Sequence, residues 1–292
     1  MRGDPQNLEL IAAASLPEVL AHISAAPGSW TPIAGGTELM VAHAAGRLSA
    51  QKLISLWGLP ELDFIRVGDE TISIGGGVTF GRIRSHADIA SDFPLLSRAA
   101  GWIGSIANQN RATLAGNIVN GSPAADAPPA LLIYDAEIEL ASQRGSRRLP
   151  YSDFHLGYKQ SVLEPDELVL ALHLRRRFAK HAQYLRKVGT RKAMAITKVA
   201  LAGTAIVMND TIHEIHLAAA SVADRPVRLI ATEEALLGKQ LTRETWRAAR
   251  VELLNEVRPI DDIRSTAEYR KHVAANLLDE FLTQLAHEGV QA

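Results

Sequence analysis

"TPIAGGTELMVAHAAG", Thr31 to Gly46, sets the frame for the rest of the chain. A short β-like run meets two glycines, and a helical run follows. Glycine lets backbone N–H groups approach an anion with no Cβ in the way, and a helix N-terminus adds partial positive charge. Thr37 adds a hydroxyl donor. A phosphate or pyrophosphate suits this turn, and so does the plainer reading of a tight strand-to-helix connection. On the N-terminal side, "LELIAAA" (Leu8–Ala14) reads as a strand. Ser15 with Glu18 three residues on reads as a capping box ahead of "VLAHI". On the C-terminal side, "KLISLW" (Lys52–Trp57) reads as another strand. Strand, helix, strand, helix, strand describes a small parallel α/β unit.

From Leu59 the pattern changes. "FIRVGDETISIGGGVTF" reads as two strands turning at Gly68-Asp69. Helical stretches run from "RIRSHADIA" to "LLSRAAGWIGSI". "AEIELASQRGSRRLP" reads as a hairpin turning near Gly145, and "DELVLALHLR" as a further strand. Between them, "ATLAGNIVNGSPAADAPP" (Ala112–Pro129) is rich in small residues and prolines. It reads as a long functional loop, because long loops flanked by apolar runs are seldom idle. After Arg177, "VALAGTAIVMNDTIHEIHLAAAS" gives two strands joined at Asn209-Asp210. Three helical segments follow, the last opening on a second capping box, Ser265 with Glu268. The expected class is α+β: a parallel α/β unit (1–57), a mainly antiparallel α+β unit (58–177), and a C-terminal domain of antiparallel sheet and helices (178–292).

Composition removes several functions. The chain has 292 residues, a net charge of −1 and no cysteine. A near-zero charge points away from nucleic acid or a membrane surface as main partner. The missing cysteines exclude disulfides, a thiolate nucleophile and a cysteine-ligated cluster held by this chain alone. No apolar run approaches the ~20 residues that span a bilayer, and the N-terminus has no basic-then-apolar signal pattern. A cytoplasmic protein is expected. His213 and His216 lie three apart on a strand and point to opposite faces, so they do not chelate one metal ion. Neither a GxSxG elbow nor a P-loop occurs. With no catalytic residue in view, any chemistry must come from a bound cofactor.

Within Ala112–Pro129, Thr113, Ala115, Gly116 and Asn117 form a second small-residue run with donors, and Asp126 follows. A carboxylate repels phosphate, so Asp126 suits sugar or ribityl hydroxyls, or nearby backbone N–H groups. "GGGVTFG" (Gly75–Gly81) departs from the dinucleotide fingerprint and reads as structural. "YLRKVGTRKA" carries Arg186, Lys187, Arg191 and Lys192, a solvated face or a cation beside an electron-rich ring. Arg175, Arg176 and Arg177 read as surface, able to dock an acidic partner.

Five ordered stretches carry a resemblance: "PIAGGTELM", "NRATLAGNIVNGSPAADAPPALLIYDAEIEL", "DELVLALHL", "YLRKVGTRKAMAI" and "RSTAEYRKHVAANLL". The chain resembles the FAD-binding subunits of molybdenum hydroxylases, which include the medium subunit of carbon monoxide dehydrogenase and the flavin part of xanthine dehydrogenase. The resemblance implies FAD held between two α/β subdomains. It implies partner subunits carrying iron–sulfur clusters and molybdopterin, in a heterotrimer or a dimer of heterotrimers, and NAD⁺ or another acceptor for the electrons. It implies that Ile33, Ala34, Gly35, Gly36, Thr37, Glu38 and Leu39 form a first FAD loop. Thr113, Ala115, Gly116 and Asn117 would form a second loop that wraps the pyrophosphate. Asp126 would contact the flavin, Val169 would give an apolar contact, and Lys187 would lie near the isoalloxazine ring. Ala115 stands where the family usually has glycine, which costs about 1 kcal/mol or more if that position needs a positive φ. Two other readings stay open: a self-contained FAD reductase without partners, and a nucleotide-binding scaffold that has lost its chemistry.

Overall fold

The computed structural model describes residues 8–289. Expectations touching residues 1–7 and 290–292, including most of the stretch read for a signal pattern, lie outside the described residues.

The first unit follows the expected order: β1 (Glu9–Ala12), α1 (Leu16–Ala25), β2 (Thr31–Ile33), α2 (Leu39–Ala44) and β3 (Lys52–Ser55). Its sheet runs β1-β3-β2, and both pairings are parallel. Ser15 caps α1, its Oγ accepting the Glu18 N–H at 3.4 Å. Glu18 reaches back one residue further than the box expects, accepting from Ala14 N at 2.8 Å. Leu16, Val19, Leu20 and Ile23 repeat at helical spacing and bury one face of α1. They pack with Ile54, Leu59 and Leu62, and with Ala141 and Leu168 of the next sheet.

The second unit begins with β4 (Ile65–Val67) and β5 (Thr71–Gly75). Six short helices follow: α3 (Phe80–Ser85), α4 (Ala87–Asp92), α5 (Pro94–Ala100), α6 (Ile106–Gln109), α7 (Leu114–Val119) and α8 (Pro128–Ile133). The strands β6 (Glu137–Ser142), β7 (Gly145–Pro150), β8 (His155–Gly157), β9 (Gln160–Ser161) and β10 (Leu168–Arg175) complete it. Its main sheet, β4-β5-β10-β6-β7, is antiparallel throughout. Ile72, Ile74, Ile138, Leu140, Leu172 and Leu174 alternate onto the helix-covered face. The stretch from Ala112 to Pro129, expected as a loop, contains α7 and the start of α8. Thr113 caps α7 through the Gly116 N–H, and Leu114 and Ile118, one turn apart, are both fully buried. Burial of that face supplies what the weak helix propensities of glycine and asparagine do not. α8 is buried at all six residues, as a helix apolar on every side must be.

The third unit holds β11 (Ala182–Val188), β12 (Val199–Met208), β13 (Thr211–Ala220), β14 (Val227–Arg228), α9 (Ile230–Leu236), α10 (Arg243–Glu256) and α11 (Ala267–Gly289). Its strands pair β11-β12-β13-β14, all antiparallel. Asn209 (φ 49°) and Asp210 (φ 56°) are both left-handed, the backbone of a tight hairpin. The paired Ala202 and Ala218 belong to the core of the second unit, while their neighbours Leu201, Leu217 and Ala219 pack in the core of α9–α11. The four-stranded sheet is thus covered on both faces.

Two sequence readings need correction. Thr266, not Ser265, accepts the first-turn N–H of α11, from Tyr269 at 3.2 Å. Ser265 instead donates its own N–H to Asp262 Oδ1 at 3.1 Å. The surface reading of the arginines at the end of β10 holds for Arg175 and Arg177, which are exposed, but needs the fixed partners of Arg176 and Arg177 added. Arg176 Nε donates to Asp92 at 2.5 Å and its Nη1 to the Gly68 carbonyl at 2.9 Å. Arg177 bridges Asp135 and Glu214, tying the second unit to the third. Their carboxylate partners lie far away in sequence, which is why a local reading misses them.

His155 makes stability depend on pH. Burial, and secondarily the charge of Arg225, pull its pKa down to about 4, and the Tyr151 hydroxyl lies 3.0 Å from its Nε2. The folded chain keeps this ring neutral while the unfolded chain takes a proton near its ordinary value of about 6.5. Stability from this group is therefore whole above about 6.5 and is lost as pH falls toward 4. We expect a loss of about 3 kcal/mol across that window. His155→Phe should flatten that part of a chemical-denaturation pH series, and an unchanged slope would refute the assignment.

Candidate functional site

The two glycine-bearing turns converge. β2 delivers Ala34–Glu38 to the edge of the parallel sheet, where they meet Arg111 and Ala112 at the entrance to α7. A Cβ placed on Gly35 would lie 1.7 Å from the Arg111 carbonyl oxygen and 2.5 Å from its carbon. Only glycine permits this backbone-on-backbone contact. Gly36 has φ 72°, a second position that favours glycine. The N–H groups of Gly35, Gly36, Thr37 and Glu38 donate to no protein acceptor among the described residues. Such a row of uncommitted amides is a ready anion cradle. α2 is only six residues long and buries none of them, so the amides matter here rather than a macrodipole.

The second turn has its backbone amides already committed. Leu114 N–H bonds to Val78 O, Ala115 N–H to Gly76 O, and Asn117 N–H to Thr113 O, at 3.0, 3.1 and 3.0 Å. Gly116 N–H is taken by Thr113 Oγ1. The backbone of the second run is therefore spent on its own helix and on the Gly75–Gly77 turn. What it offers a ligand is side chains. Asn117 Oδ1 is buried without a partner among the described residues. Arg111, which sequence reasoning did not single out, lays its guanidinium 3.8 Å from the Trp57 ring centroid. Its only sequence signal was a lone basic residue beside the small-residue run.

Ala115 lies within α7 and is absent from the residues with positive φ. The methyl group costs no backbone strain, so the feared penalty does not arise, and the argument for a scaffold without cofactor loses its support. Val169 is buried in the core of the second unit. Its carbonyl lies 2.4 Å from where a Cβ on Gly76 would sit, so the two backbones touch there.

Asp126 and Lys187 meet although 61 residues separate them. Lys187 Nζ donates to Asp126 Oδ2 at 2.8 Å, and Thr197 Oγ1 donates to Asp126 Oδ1 at 2.6 Å. Both charged side chains are about one-tenth exposed. Burial pushes the Asp126 pKa up, and the Lys187 charge and the two hydrogen bonds oppose that rise. Lys187 is therefore a neutralised cation. Arg186 pairs with Glu280 and Arg191 bonds the Met194 carbonyl, both on the surface. His213 is exposed and His216 buried. Among the described residues, no group of three or more His, Asp or Glu side chains is arranged to hold a metal ion.

Residues 6–174 match the family described as the FAD binding domain in molybdopterin dehydrogenase. The chain belongs to that family. Residues 184–285 match the CO dehydrogenase flavoprotein C-terminal domain. A nicotinate dehydrogenase FAD-subunit from Eubacterium barkeri is 31% identical over 262 residues, covering 87% of this chain and 88% of the relative. A putative xanthine dehydrogenase FAD-binding subunit from Escherichia coli is 29% identical, over 86% and 87%. The solved carbon monoxide dehydrogenase from Hydrogenophaga pseudoflava superposes with a TM-score of 0.90 at 27% identity, covering 95% of this chain and 96% of its counterpart. The α+β fold with its C-terminal domain is the fold of that flavoprotein, and the chain is an FAD-binding oxidoreductase subunit of the xanthine and carbon monoxide dehydrogenase family.

The residues present fit FAD. Among the described residues, four amides stand free where the first turn touches Arg111 and Ala112, and Asn117 Oδ1 is buried without a partner, so polar groups for a diphosphate-bearing cofactor are present. FAD, when bound, supplies electron transfer in single or paired steps. The chain's own residues have only to hold it, exclude water from part of it and set the charge around its ring.

Proposed function

We propose that this chain is the flavin relay of a molybdenum hydroxylase complex. It takes electrons from the iron–sulfur clusters of a small partner subunit, fed by a molybdopterin-binding large subunit, and passes them to NAD⁺ or another acceptor. The convergence of the Gly35 turn on Arg111 and Ala112 carries this reading, because it leaves uncommitted amides where a diphosphate is expected. In this reading Ile33 through Leu39 hold the diphosphate from one side. Thr113, Ala115, Gly116 and Asn117 flank it from the other side, where the side chains of Asn117 and Arg111 supply the polar contacts. Asp126 and Lys187 lie toward the ring, and Val169 backs the second turn. The chain divides into units 1–57, 58–177 and 178–292; the separate main sheets support this division. A cytoplasmic location and a heterotrimer, or a dimer of heterotrimers, complete the proposal. No described helix is long and apolar enough to cross a membrane.

The test is purification from the native cell. The chain should be yellow, release FAD on acid treatment, and bring down a cysteine-rich small subunit and a large molybdopterin subunit. A flavin-bearing chain that reduces its own substrate with NAD(P)H and binds neither partner would favour the self-contained reductase. Arg111→Gln should weaken FAD retention about tenfold, about 1.4 kcal/mol, as read by fluorescence of released flavin. Unchanged affinity would remove Arg111 from the groove.

A further inference from the structure

The face of the five-stranded sheet opposite α3–α8 carries a polar chain that the flavin groove does not use. Ser73 on β5, His173 on β10, Glu139 on β6 and Arg148 on β7 stand side by side. Ser73 Oγ is 2.8 Å from His173 Nδ1, and His173 Nε2 is 2.8 Å from Glu139 Oε2. Arg148 Nη2 donates to that same carboxylate oxygen at 2.9 Å. Burial pushes the Glu139 pKa up, but the His173 hydrogen bond and the Arg148 charge outweigh it and hold the carboxyl below its ordinary range. An ionised carboxylate only accepts, so in neutral His173 the hydrogen is assigned to Nε2, Nδ1 accepts, and the Ser73 hydroxyl donates inward. Ser73 Oγ then has only acceptor capacity left for anything beside it.

These residues line an open cavity of about 380 Å³, together with Glu61, Phe64, Arg66 and Leu170. That size is within the range of small-molecule sites. Two of its charged groups are unspent. Glu61 Oε1 accepts from the Leu16 N–H at 3.2 Å, while Oε2 is buried without a partner among the described residues. Arg66 makes no ion pair among the described residues, and its guanidinium lies 4.1 Å from the Phe64 ring centroid. Phe64 and Leu170 supply apolar wall. The formal charges around the cavity cancel: Arg66 and Arg148 against Glu61 and Glu139. Neither a bare anion nor a bare cation matches that balance, but a molecule carrying both charges does.

We propose that this cavity binds a small amino acid with an apolar side chain, its carboxylate on Arg66, its ammonium on Glu61 and Ser73, and its side chain against Phe64 and Leu170. The site is separate from the flavin groove but shares its support. Leu170 is the extra residue at the β10 irregularity between Val169 and Ala171. Its carbonyl accepts the Gly76 N–H at 2.8 Å, and Gly76 O in turn accepts the Ala115 N–H. A ligand pressed on Leu170 lies one hydrogen-bond step from the backbone that anchors α7.

Titration calorimetry of the FAD-loaded chain tests this with three probes: L-leucine, 4-methylpentanoate, which lacks the ammonium, and 3-methylbutylamine, which lacks the carboxylate. Leucine should bind, and each truncated probe should bind about tenfold more weakly or worse. Arg66→Gln and Glu61→Gln should each weaken leucine about tenfold while FAD content stays unchanged. Arg66 is exposed, and glutamine at 61 keeps a carbonyl acceptor for Leu16, so both variants should fold. No leucine binding up to about 10 mM, equal binding of a truncated probe, or leucine binding that survives both substitutions would overturn the proposal.

Discussion

Gly35→Ala should strip the flavin from this protein. The new methyl carbon would lie 1.7 Å from the Arg111 carbonyl oxygen, and neither backbone can yield without the two turns separating. Overpacking of this kind costs about 3 kcal/mol or more, and the separation displaces the uncommitted amides proposed to hold the diphosphate. FAD per chain should fall to about a tenth of the parent value or less, measured from the visible spectrum of the purified protein. Ala115→Gly is the milder comparison. Ala115 lies in a helix with ordinary φ, so glycine there should cost about 1 kcal/mol of stability and lower flavin content far less than Gly35→Ala does. A yellow Gly35→Ala protein would show that the first turn is not at the cofactor.

The second large effect is expected at Asp126 and Lys187. Removing one member of a buried pair leaves the other charge uncompensated, at a cost of about 3–5 kcal/mol. Asp126→Asn should therefore lower thermal stability sharply. Asp126→Leu combined with Lys187→Met should cost less than either single change, because no orphan charge remains. A redox readout separates a structural pair from one that tunes the ring. If the pair lies against the isoalloxazine, the unbalanced Lys187 ammonium of Asp126→Asn favours the reduced, anionic cofactor and raises its potential by roughly 30 mV or more, and Lys187→Met lowers it. Equal potentials in all variants would confine the pair to stability.

Local signals were legible wherever they were repetitive or chemically strict. The parallel unit was readable because Ile33, Gly35-Gly36 and the run after Leu39 switch period and insert glycine at the switch. The Asn209-Asp210 hairpin was readable because few residue pairs accept two successive left-handed conformations. The α7 helix was not readable. Its residues are poor helix formers, and Leu114 and Ile118 become an anchor only once the sheet they pack on exists. The same limit hid Arg176 and Arg177, whose partners Asp92, Asp135 and Glu214 are fixed by folding.

The sequence by itself determined the α+β class, the glycine turn after β2 and the ordered motifs that resemble the flavoprotein family. Each depends on residue type and short spacing, which a linear chain already contains. Only the tertiary structure decided that Gly35 touches Arg111, that the amides after Leu114 are spent internally, and that Asp126 neutralises Lys187. Those facts depend on which carbonyl or carboxylate comes within about 3 Å of which donor, and distances between residues far apart in sequence do not exist until the sheets pack.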